Sequence, residues 1–190
     1  MVEIKRKTKE TDIISRLELY GSGKSSINTS IGFFDHMLES FTKHGLLDLQ
    51  LSCDGDIDVD YHHSVEDVGI VIGESLRREI FPIENVERFG EATVVMDEAS
   101  VNTALDLSNR PYLHFDIDLT DKIGDFDVEL IEEFFRALCF NAGITAHIVC
   151  QRGKNKHHIV EAAFKSFAIA LRRATSKNSR VGVPSTKGIL

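Results

Sequence analysis

The strongest constraint on the fold is that the chain is written twice. Residues 62–79, HHSVEDVGIVIGESLRRE, align without a gap over residues 157–174, HHIVEAAFKSFAIALRRA, and seven of the eighteen pairs are identical. The identities are chemical residues at the front (His, His, Val, Glu) and a helical tail at the back (Leu, Arg, Arg). Upstream, ETDIISRLELYG (10–21) lies over EASVNTALDLSN (98–109), with Glu10 opposite Glu98, Leu17 opposite Leu105 and Leu19 opposite Leu107. Segments FFDHMLESFTKHG (33–45) and LIEEFFRALCFNAG (130–143) fall in corresponding places. Self-similarity at this scale means a repeated supersecondary unit. The halves run from about 1 to 85 and 86 to 180, and no Gly/Ser-rich or Pro-rich linker parts them. One fused structure is expected.

Periodicity then sets the elements. Alternation predicts strands in RLELYG, LDLQLSC, DIDVD, ATVVMDEA, NTALDLS, YLHFDIDL and ITAHIVC. Apolar spacing of three and four predicts helices near 31–44, 63–80, 127–142 and 158–174. Strands followed by a helix, without strict βαβ alternation, predict an α+β fold. The expected unit is a duplicated half-domain, each copy a mainly antiparallel sheet with helices packed on one face. The tail GVPSTKGIL is expected to be irregular.

A chain that is 42% apolar and 27% charged supports a packed core, and a net charge of −8 argues against electrostatic nucleic-acid binding. Cys53, Cys139 and Cys150 show no C-x-x-C spacing and read as free thiols in a reducing compartment. The start, MVEIKRKTKETD, has no apolar signal region, and no apolar run is long enough for a membrane span. A cytoplasmic protein is expected. GSGKSS ends like a phosphate-binding loop, but the glycine required five residues before Gly23 is Glu18, so a hairpin turn is expected. The acceptor pattern at Asn28 carries no weight without a secretory signal.

The duplicated H-H-x-x-E is a metal-ligand pattern. On a helix, residues four apart share a face, so His62 and Glu66 reach one ion, while His63 points about 100° away. One copy is poorly shaped to close one site and well shaped to contribute to two; His157, His158 and Glu161 repeat the geometry. Pairing the copies about a pseudo-twofold axis gives one site from His63, His157 and Glu161, and another from His158, His62 and Glu66. The corresponding upstream helices offer His36 and Glu133 as further ligands. Imidazole and carboxylate without thiolate favour six-coordinate manganese or iron, with zinc possible. His114 and His147, inside apolar strand patterns, are expected to be satisfied structural residues. His44 ends the His36 helix and serves either as a charged C-terminal cap or as a site residue.

These residues together resemble the imidazoleglycerol-phosphate dehydratase family of histidine biosynthesis. The resemblance runs through RKTKET, GFFDHML, DYHHSVEDVGI, MDEA, LDLSNRP, EEFFRAL, GKNKHHIVEAAFK and PSTKG, essentially the whole chain. It implies a ribosomal protein S5 domain 2-like fold and two manganese ions per active site. It also implies active sites between subunits of a large homo-oligomer, an octahedral cage, with no nucleic acid or membrane as partner. Carried onto matching positions, one ion is held by His36, His63, His157 and Glu161, the other by His62, Glu66, His158 and position 133. Many members have E-H-F-F where this chain reads Glu132-Glu133-Phe134-Phe135; a carboxylate there replaces an imidazole.

The implied reaction removes water from imidazole glycerol phosphate, a phosphorylated imidazole, to give imidazole acetol phosphate. The proton to be lost is barely acidic, and a metal on the ring nitrogen favours the deprotonated ring that expels the hydroxyl. Glu10 and Glu161 match the family's proton-transfer residues. Substrate contacts are implied for Glu10, His36, His44, His62, His63 and His157. A phosphate pocket is implied for Arg88, Arg110, Lys165, Ser185, Thr186 and Lys187, the last three on a tail (181–190) that becomes a lid. Two other readings share the ligands: a dinuclear metal phosphohydrolase, and a non-catalytic metal-assembled shell protein.

Overall fold

In the first half, Val2–Lys7 (β1) and Thr11–Glu18 (β2) alternate inward apolar with outward polar residues; β2 buries Thr11, Ile13, Ser15 and Leu17. Ser25–Asn28 (β3), Gly32–Gly45 (α1), Asp48–Gly55 (β4) and His62–Ile80 (α2) follow. The second half repeats them as Phe89–Met96 (β5), Ala99–Asp106 (β6), Tyr112–Asp116 (β7), Leu130–Ala142 (α3), Thr145–Arg152 (β10) and Lys156–Ala174 (α4). A short hairpin, Lys122–Ile123 (β8) with Phe126–Asp127 (β9), is inserted before α3. The computed structural model describes residues 1–188.

The two sheets share one topology. The first has the order β1-β2-β4-β3 and the second β5-β6-β10-β7. All pairs are antiparallel except the equivalent edge pairs β3 with β4 and β7 with β10. Each sheet carries its own two helices on one face, and helices meet across the halves, α1 against α4 and α2 against α3. The resulting layers run sheet, helices, sheet, which is the α+β arrangement the repeats predicted.

Phenylalanine fills the seam. Phe34, Phe41, Phe126, Phe134, Phe135, Phe164 and Phe167 are all fully buried. Phe34 meets Phe134 edge-on at 5.3 Å and Phe41 lies 6.2 Å from Phe167, so aromatic contacts join the halves. Burying each such ring contributes about 1.5–3 kcal/mol. Helices α2 and α3 approach where Gly69 and Gly73 face the backbone of Phe134 and Leu138; a Cβ there would stand 2.8 and 2.6 Å from those carbonyl oxygens.

Several expectations are corrected. DIDVD (56–60) forms a turn rather than a strand, with Val59 exposed, because its alternation carries only two apolar residues and leads into α2. ATVVMDEA is not one strand: Asp97 and Glu98 form the two-residue turn between β5 and β6. GSGKSS is not a hairpin turn, since β3 pairs parallel with β4 and the chain crosses over to reach it. The Asp48 carboxylate fixes that crossover by accepting from the Ser22 and Lys24 amides at 2.7 and 2.9 Å. Strand β1 is also present, although its charged residues mask the alternation of Val2 and Ile4. His114 and His147 are exposed rather than satisfied within the core; they oppose each other across β7 and β10 with ring centroids 5.2 Å apart.

Candidate metal centre and active site

Both histidine pairs open a helix. At α4 the Asn155 side chain accepts from the His157 and His158 amides, and at α2 the Asp60 carboxylate accepts from the His62 amide at 2.8 Å. These contacts satisfy amides that have no intrahelical partner and so fix where the helix starts. Each pair then splays. The rings stand 87° apart in His62–His63 and 82° apart in His157–His158. Neighbouring histidines reach different carboxylates, Glu66 and Asp56 for His62 and His63, Glu161 and Glu98 for His157 and His158.

The first histidine of each pair turns to its own i+4 glutamate. His157 Nε2 lies 3.1 Å from Glu161 Oε2, and His62 Nε2 lies 3.7 Å from Glu66 Oε2. From α1, His36 Nε2 comes within 3.6 Å of the same Glu161 oxygen. His36, His157 and Glu161 bring their ligand atoms within 4.8 Å of one another, the one such group of three among the described residues. An imidazole–carboxylate set of this kind fits a divalent transition ion. The equivalent position across α2 and α3 holds Glu133, whose carboxylate instead lies 3.8 Å from Arg136 Nε.

Glu161 is the most buried ligand, at 7% exposure. Burial opposes its charge, but the Lys165 ammonium at 2.7 Å, then His157 and His36, outweigh that and hold its carboxyl below the usual range. Lys165 thus belongs to this cluster. His44, in the last turn of α1, is half-buried; desolvation and the nearby Lys165 charge push its imidazole toward the neutral form. The His44 carbonyl accepts from Arg172 at 3.0 Å.

The second histidines turn to turns. His63 Nδ1 meets the Asp56 carboxylate at 3.0 Å, which raises its pKa, and its Nε2 faces Glu10 at 3.8 Å. His158 Nδ1 meets Glu98 at 2.9 Å. Within one chain, His63 does not join His157 and Glu161, nor does His158 join His62 and Glu66.

A separate cavity of about 870 Å³ lies at the start of the second half, lined by Arg88, Ser108, Arg110, Ser185, Thr186 and Lys187 among others. Lys165 does not line it. Arg88 is engaged: its guanidinium donates to both Asp106 oxygens at 2.7 and 3.1 Å and to the Pro184 carbonyl at 2.7 Å. Its backbone is left-handed, with φ of 70°, an uncommon state for a non-glycine residue. Arg110 is exposed, and with Lys187 it supplies cationic donors to the cavity. The tail docks through Gly182, whose carbonyl accepts from Asn85 at 2.7 Å. The expected tail runs to residue 190; Ile189 and Leu190 lie outside the described residues.

Comparison with known proteins decides the class. The family model described as imidazoleglycerol-phosphate dehydratase matches residues 29–171. The chain belongs to the imidazoleglycerol-phosphate dehydratase family. The imidazoleglycerol-phosphate dehydratase of Aliarcobacter butzleri is 62% identical over 190 residues, and that of Campylobacter hominis 63%, each alignment covering 100% of both chains. The family structure from Pyrococcus furiosus in complex with (S)-C348 superposes with a TM-score of 0.86 at 41% identity, covering 98% of this chain and 100% of that one. The family suggests metal dependence, and among the described residues the His36–His157–Glu161 group could hold an ion.

Sequence reasoning missed the partners that hold the site in shape. Asp56 sits in the segment expected to be a strand, and Asp60 and Asn155 each lie two residues before a histidine pair. The latter two had a readable signal, since Asp and Asn two or three residues ahead of a helical run satisfy free amides.

Proposed function

We propose that this chain is a metal-dependent hydro-lyase that dehydrates imidazole glycerol phosphate to imidazole acetol phosphate in histidine biosynthesis. Family membership carries the dehydration. The convergence of His36, His157 and Glu161 within 4.8 Å supports the metal dependence. Manganese is the proposed ion, two per active site, with iron or zinc as substitutes; the donors are imidazole and carboxylate only.

One ion is assigned to His36, His157 and Glu161, completed by His63; the other to His62, Glu66 and Glu133, completed by His158. His63 and His158 turn away from these sets within one chain. Each is therefore assigned to the ions of a neighbouring copy, which supports active sites between subunits of a homo-oligomeric cage. Glu133 must leave Arg136 to take its place. When bound, the ions supply Lewis acidity toward the imidazole ring.

The chain's residues do the rest. Glu161, held ionised by Lys165, and Glu10, with no hydrogen-bond partner for its carboxylate among the described residues, are the proposed proton-transfer groups. The phosphate is assigned to the cavity beside Arg110 and Lys187, closed by the tail that Arg88 anchors through Pro184. Substrate contacts are proposed for His36, His44, His62, His63 and His157 in addition. The domain reading is a single dehydratase domain of two fused repeats, 1–85 and 86–180, with a substrate-binding tail at 181–190. Among the described residues no helix is long and apolar enough to cross a membrane; a cytoplasmic location is proposed.

Manganese-loaded protein incubated with imidazole glycerol phosphate should yield the ketone with no phosphate released. Free phosphate would instead identify a phosphohydrolase, and neither product a metal-assembled shell.

A further inference from the structure

A buried clamp ties the turn that carries Glu10 to helix α2. Asp67, 6% exposed, accepts the Thr11 hydroxyl on Oδ2 at 2.5 Å, and its Oδ1 lies 2.9 Å from an Arg6 guanidinium nitrogen. The Thr8 hydroxyl accepts from the amides of both Glu10 and Thr11, at 3.0 and 2.9 Å. The Glu10 carbonyl accepts from the Asp56 amide at 3.0 Å. The amide and carbonyl of Glu10 are thus both held, while its carboxylate makes no hydrogen bond among the described residues and lies 3.8 Å from His63 Nε2. Asp67 ties the adjoining Thr11 and Arg6 to the helix that also carries His62, His63 and Glu66.

The second half shows that the fold does not demand this clamp. At the equivalent positions Thr11 is replaced by Ala99 and Asp67 by Ala162. Both alanines are buried and the strand still pairs with its neighbours. A desolvated carboxylate is costly unless its partners are well placed, and a simpler apolar solution exists in the same molecule. The clamp stands in the half whose turn glutamate accepts no hydrogen bond among the described residues.

We infer that Asp67 is a positioning residue for Glu10, acting through the Thr11 hydroxyl to hold the turn where the Glu10 carboxylate can reach the reacting carbon. This rests on the reading that Glu10 transfers a proton in the dehydration. Displacing a reacting group by about 1 Å costs about a hundredfold in rate, so the expected signature is a loss in kcat rather than in binding.

The test compares Glu10→Gln, Asp67→Asn, Thr11→Val and Thr11→Ser in the manganese-loaded holoenzyme, with kcat, KM and metal content measured for each. Asp67→Asn and Thr11→Val should each lower kcat about 10- to 100-fold, with KM and metal content close to the parent. Thr11→Ser, which keeps the hydroxyl, should restore kcat. The Asp67→Asn/Thr11→Val double variant should be no worse than the poorer single one, as expected for two ends of one contact. If the two single variants lose stability or metal while the loaded fraction turns over at the parental kcat, the clamp is structural and the inference fails. If Thr11→Val keeps the parental kcat while Glu10→Gln is crippled, the inference fails and the Glu10 reading stands. Full turnover by Glu10→Gln would remove that reading, and the inference with it.

Discussion

The two halves place the same glutamate in the same hairpin and treat it in opposite ways. Glu10 sits in the three-residue turn between β1 and β2, its carboxylate accepting no hydrogen bond among the described residues and lying 3.8 Å from His63 Nε2. Glu98 sits in a two-residue turn and accepts from the amides of Asn155 and Lys154 at 2.7 and 3.1 Å as well as from His158. Those contacts, the Asn155 amide first, depress the Glu98 pKa to about 2. The Glu98 carboxylate thereby braces the start of α4. The comparison teaches that the duplicated turn presents an unbraced glutamate in one half and a braced one in the other.

The largest expected effect tests what the halves still share. His62→Ala and His157→Ala should each lower metal affinity by more than the about 10–100-fold typical of lost outer-shell partners, read as manganese per chain after dialysis. Unchanged metal in either variant would break the equivalence of the two motifs. The next effect tests where the halves part. Glu10→Gln should lower kcat about 10²- to 10⁴-fold with metal retained, whereas Glu98→Gln should act first on metal content and thermal stability; equal kcat losses in both would erase the distinction.

A smaller change is expected at the cavity lined by Arg110 and Lys187. Truncation after Val183 removes Ser185, Thr186 and Lys187 and should raise KM about tenfold, equivalent to about 1.4 kcal/mol of binding; an unaltered KM would dispose of the lid. The smallest effect separates the two crossover loops. The first is held by the Asp48 carboxylate, the second by the Thr145 hydroxyl donating to the Arg110 carbonyl at 2.7 Å. The amides of Lys24 and Ser22 depress the Asp48 pKa below 3.8. Its contribution is therefore complete above that unfolded value and is lost as the pH falls through the folded one. Hydrogen exchange around Ser22 and Lys24 should accelerate on acidification relative to the loop at Arg110; parallel acceleration would contradict the assignment.

Much of this was legible before any coordinates. The repeat offset of 10–21 over 98–109 carries β2 onto β6 residue for residue, Thr11 onto Ala99 and Glu18 onto Asp106. That neighbouring histidines reach different partners follows from the 100° step of a helix. What escaped was held by long-range pairing. Strand β3 is four residues of mostly exposed polar chain that only β4 defines. The β8–β9 hairpin exists because Phe126 inserts between Phe33, Phe34 and Tyr61, a contact no local pattern announces. Asp67 reads as one more acidic helix residue until Thr11 and Arg6 are seen against it.

The joint phenylalanine seam has a consequence for how such a molecule can change. Two identical chains meeting in the same way would be bound to share every substitution, because one coding segment would specify both. Here the partners are inseparable in space yet spelled independently. One half carries Thr11 and Asp67 where the other carries Ala99 and Ala162, a difference closed to any assembly of identical halves.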